Sequence, residues 1–69
     1  MTAISKAISL AGSGAALGAM LNPPVSYQAI MVWNRRGWCP PARAKEISTL
    51  FPELRLRDLL KPALVDALS

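Results

Sequence analysis

Histidine is absent from this sequence, and cysteine occurs once, at Cys39. No disulfide can close within the chain, and no zinc site of cysteines and histidines can be assembled. Without histidine, acid–base chemistry would fall to four carboxylates, Glu46, Glu53, Asp58 and Asp66, none beside another. There is no glycine-rich loop to cradle phosphates, because Gly12 and Gly14 match neither of the known spacings. An enzyme is therefore not expected, and neither is a metal, a cofactor or a small-molecule substrate. No segment alternates apolar and polar residues cleanly enough for a half-buried strand.

A long uninterrupted apolar run is also missing. Lys6 is followed by an apolar run to Leu21, but Ser9, Gly12, Ser13, Gly14 and Gly18 break it. A membrane-spanning helix needs about 20 predominantly apolar residues. A signal peptide needs a continuous apolar stretch behind a charged start. Neither is expected, and no membrane partner follows. A lone cysteine suits a reducing, cytoplasmic location. Followed by Pro40, Cys39 reads as a small apolar residue before a helix.

The composition that is present is 52% hydrophobic and 17% charged. A disordered tail would need the reverse balance. Sixty-nine residues make one domain, 1–69, with a marginal core that a homodimer would naturally supplement. The net charge of +4 is local. Arg35, Arg36, Arg43 and Lys45 fall in one stretch with no acid among them. Further on, Arg55, Arg57 and Lys61 are balanced by Glu53, Asp58 and Asp66. A basic cluster of this kind fits a polyanion binder, and it equally fits a solvated, solubilising loop.

Caps and breaks divide the chain into about five short helices, an all-α bundle. The first is expected over residues 2–11, with Thr2 as its cap and Ile4, Ala7, Ile8 and Ala11 on one face. Ser13 opens a second over 14–21, whose small residues let another helix cross closely. Asn22-Pro23-Pro24 breaks it. Ser26 caps a third helix over 27–36, and Gly37 closes it. On this helix Ala29, Ile30 and Trp33 share the core face, while Gln28, Met31 and Arg35 share the opposite one, bordered by Tyr27 and Val32. Pro40 and Pro41 preset a fourth helix with Ala44, Ile47, Leu50 and Phe51 buried, and Pro52 stops it. A last segment carries Leu56, Leu59 and Leu60, and a further turn is expected over 63–68.

Two capped helices, a break, a polar outward face and a basic loop follow the order of a helix-turn-helix unit, here about 13–37. Such a unit buries one side of its second helix and offers the other to the major groove. Ser26, Tyr27, Gln28, Met31 and Val32 are the candidates for base contacts. Arg35, Arg36, Arg43 and Lys45 are the candidates for phosphate contacts. Each has a plainer alternative. Gln28 can be a solvated helix residue, Tyr27 half-buried packing, and Met31 a contact to a partner protein. Trp33 reads as core rather than a stacking platform. Trp38 can cover the core edge, support the basic loop or sit in a dimer contact.

Val25-Ser26-Tyr27-Gln28-Ala29-Ile30, Trp33, Arg36-Gly37, and Pro40-Pro41-Ala42-Arg43-Ala44 with Ile47 together resemble the phage Cro and YdaS-type helix-turn-helix family. Leu60-Lys61-Pro62 resembles the L-R-P that often follows there. The turn at Pro23-Pro24 is about two residues longer than the family's usual one. Met31 and Val32 stand where the family is often polar. The resemblance covers about residues 4–62. It implies a repressor of phage or prophage origin, binding a palindromic DNA operator as a homodimer. An antitoxin that represses its own operon and binds a toxin partner is the nearest variant. Other classes remain open: a protein-interaction module using Met31, Val32 and Trp38, or a membrane-active protein whose N-terminal helices lie on lipid. The tail, 53–69, has apolar residues to spare for a dimer contact.

Overall fold

In a computed structural model, which describes residues 2–61, the helices form where the sequence supplies caps and breaks. Helix α1 (Ala3–Ala11) starts with Thr2 Oγ1 accepting from the Ser5 N–H at 3.1 Å. It ends at Gly12, whose φ of 108° lies in a region side chains disfavour. Helix α2 (Gly14–Met20) is capped by Ser13 Oγ, which accepts from the Ala16 N–H at 3.0 Å. Helices α1 and α2 are bent 86° apart, and among the described residues no single helix is long and apolar enough to cross a membrane.

Helix α3 (Tyr27–Arg36) begins with Ser26 Oγ accepting from the Ala29 N–H at 3.2 Å. Gly37 takes a left-handed φ of 84° and donates its N–H to the Trp33 carbonyl at 2.7 Å. Helix α4 (Pro41–Leu50) has proline in its first turn and no side-chain cap. Helix α5 (Leu56–Leu59) is a single turn. The described residues thus form an all-α bundle. Helix α2 packs on α1 and α3, and α5 packs on α1 and α4.

One cluster of buried side chains joins all five helices and includes Ile4, Leu17, Ile30, Trp33, Cys39, Ile47 and Leu59. The small residues of α2 permit a backbone-to-backbone approach. Val25 donates its N–H to the Gly18 carbonyl at 2.9 Å, and a Cβ on Gly18 would run into the Val25 carbonyl. This contact seats the segment leading into α3.

Two expectations change. Helix α2 stops one residue early, and Leu21 leaves it to enter the core at 2% exposure. Leu50, expected inside, is 40% exposed. At 100° per residue it lies about 120° around the helix from Ala44, whereas Phe51 falls in line with Ala44. Leu56 is 41% exposed, because α5 commits its C-terminal end to the core. There Leu59 and Leu60 are buried, and the Cys39 N–H donates to the Leu59 carbonyl at 2.9 Å. The further turn expected over 63–68, and residues 62–69 of the proposed dimer tail, lie outside the described residues.

Candidate nucleic-acid interface

Helix α3 divides sharply between an inner and an outer side. Ile30 and Trp33 turn inward, at 0% and 6% exposure. Ser26, Tyr27, Gln28 and Val32 are exposed on the outer side. Met31 is only partly exposed, and it packs against the edge of the core. Tyr27 and Met31 are one helical turn apart, and both lean over Gly14 at the start of α2. Glycine there leaves room for the phenol ring and the thioether methyl, which tie the outer face of α3 to α2. Ser26 already uses its oxygen as a cap and keeps its O–H as a donor.

The four cations do not form a single set. Arg35 and Arg36 are exposed in the last turn of α3, where the helix dipole favours positive charge. Lys45 is exposed on α4. Arg43 is engaged elsewhere: its guanidinium donates to Glu46 Oε1 at 2.9 Å, with both side chains largely covered. Glu46 in turn accepts from the Asn22 N–H, across the break between α2 and α3. The backbone donor at Asn22, and then Arg43, hold the Glu46 carboxyl below its ordinary value. The acid-free stretch read from the sequence ends one residue before this glutamate. The i,i+3 spacing of Arg43 and Glu46 was the signal that could have revealed their pairing.

Beyond the end of α3, the Trp38 ring lies beneath the Arg36 guanidinium, whose central carbon is 3.8 Å from the ring centroid. Lys61 Nζ is 5.4 Å from the same centroid. Trp38 thus supports the basic loop, one of the roles open to it from sequence. In sequence Lys61 sits among balanced charges, and nothing local points it to Trp38.

Cys39 is fully buried, and burial pushes its thiol up to about 11 against the opposing charge of Arg36. Burial thus disfavours the thiolate, the form that acts as a nucleophile. Among the described residues no group of acids, histidines and cysteines could hold a metal ion. No family model, curated protein or solved structure matches the chain.

Proposed function

We propose that this protein is a sequence-specific duplex-DNA-binding transcriptional regulator acting in the cytoplasm. In this reading α2 and α3 serve as a helix-turn-helix, and α3 is the recognition helix. The supporting observation is the division of α3. Ile30 and Trp33 are buried, Ser26, Tyr27 and Gln28 are exposed at its N-terminal end, and two exposed arginines close it. A major-groove helix needs this order, with donors and acceptors for base edges first and cations for phosphates at the flank.

A single unit of this size touches one half-site, so the regulator acts as a homodimer on a palindromic operator. The resemblance to the Cro and YdaS-type family favours a phage or prophage repressor. Val32 on the outer side of α3 is 46% exposed and apolar, which favours a second reading as an antitoxin that also holds a protein partner. Selection of bound duplexes from a random pool tests the proposal. A palindromic consensus is the expected result. A pool that shows no enrichment after repeated rounds overturns it.

A further inference from the structure

Residues 37–40 and the end of α5 are held together by the backbone. The Cys39 N–H donates to the Leu59 carbonyl at 2.9 Å, and the Cys39 thiol approaches the same oxygen at 3.7 Å. Cys39 and Leu59 are both fully buried, so this link is part of the core. Trp38 precedes Cys39 by one residue, and Lys61 follows Leu59 by two. A buried anchor therefore brings together two side chains that lie far apart in sequence. From the other direction, the left-handed turn at Gly37 ends α3 and leaves Arg36 over the Trp38 ring.

The ring thus gathers two exposed cations from separate elements, Arg36 at 3.8 Å and Lys61 at 5.4 Å from its centroid. Two like charges near each other repel, and the ring's negative face offsets part of that repulsion. The ring also restricts the motion of two long side chains, which lose less freedom when they take up an anion. Arginine offers a planar fork of donors and lysine a point charge, and both suit a phosphodiester. Among the described residues the only ion pair is that of Arg43 with Glu46, so the charge of Arg36 is not taken up by an acid there.

We propose that Arg36, Trp38 and Lys61 form a phosphodiester grip beyond the C-terminal end of α3, with Lys61 and Arg36 contacting the DNA backbone and Trp38 positioning both. The proposal rests on the DNA-binding reading and adds two residues to it. It also makes α5 part of the DNA-binding surface, because the anchor at Leu59 sets the place of Lys61.

The test is a salt titration of binding to a random duplex by the full chain and by Lys61→Ala, Trp38→Leu and Trp38→Phe. Melting curves show that each variant is folded. Lys61 is exposed, so its truncation should leave the fold intact. Lys61→Ala should lower the log–log salt slope by about one per subunit. Trp38→Leu should weaken binding about two- to fivefold, and Trp38→Phe should restore part of that loss, since only a ring attracts the cations. A parent that binds duplex while Lys61→Ala keeps its full slope overturns the grip and leaves the DNA reading standing. Equal binding by Trp38→Leu and the parent removes the positioning role of the ring and likewise overturns the grip. A parent that retains no duplex even at low salt overturns the DNA reading, and the grip with it.

Discussion

At the residue scale, the two faces of α3 make opposite demands on single substitutions. Gln28 is exposed in the first turn of α3. Its amide can pair bidentately with adenine, so Gln28→Ala should cost about 1–3 kcal/mol of discrimination at one base pair. The melting temperature should stay where it is. Competition binding over single-base operator variants reads this effect, and an unchanged preference at every position would remove Gln28 from the base-reading set. Trp33 faces the other way and is 6% exposed. Trp33→Ala should destabilise by about 3–5 kcal/mol, the range for truncating a buried large aromatic. In a domain this small, that is a large share of the total stability. A Trp33→Ala protein that melts like the parent would show that the indole contributes little packing. Cys39, buried in the same cluster as Trp33, behaves as a small apolar residue with a reluctant thiol.

At the scale of elements, the break between α2 and α3 is where the orientation of α3 is set. Gly18 meets Val25 from one side, and from the other Glu46 of α4 accepts the Asn22 N–H while holding Arg43. The Glu46 carboxyl is held below its ordinary value, so the folded state favours its ionised form. Its contribution to stability is therefore fully present above the ordinary carboxylate range. It is lost as the pH falls through the lower folded value. Glu46→Gln can still accept from Asn22 but has no charge to lose. Thermal melts taken from neutral pH down through the acid range should show a shallower acid loss for this variant than for the parent. Parallel curves would mean that the ionisation of Glu46 does not brace the break.

At the scale of the whole molecule, charge placement predicts how binding responds to salt. If about three cations per subunit reach phosphates in a dimer, the log–log slope should be at least as steep as about −5. The sequence weighs Arg36 and Arg43 alike, but the ion pair to Glu46 separates them. Arg36→Ala should lower the slope on specific and random duplexes alike, with no change in preferred sequence. Arg43→Ala should lower it less. A larger slope change for Arg43→Ala would mean that its pairing with Glu46 gives way on DNA. The same dimer requires two copies per operator, and sedimentation of the protein with and without duplex should find them. A strictly monomeric species under both conditions would remove the two-fold arrangement.

The helices themselves were legible in the sequence because their determinants are local. Thr2, Ser13 and Ser26 each accept from a backbone N–H three residues on, and Gly12 and Gly37 each end a helix by adopting a positive φ. A spacing of three residues can be read along a chain. The same holds for the inward side of α3, where Ala29, Ile30 and Trp33 follow from helical periodicity alone. The tertiary structure decided the contacts between residues distant in sequence. Glu46 reaches Asn22 across a separation of 24 residues, and the thiol of Cys39 approaches the carbonyl of Leu59 across 20. Local pattern carries no information about such pairs, because they depend on how the elements dock around one core. Docking likewise left Leu50 and Leu56 outside, drew Arg43 toward an acid, and brought Lys61 to the ring of Trp38.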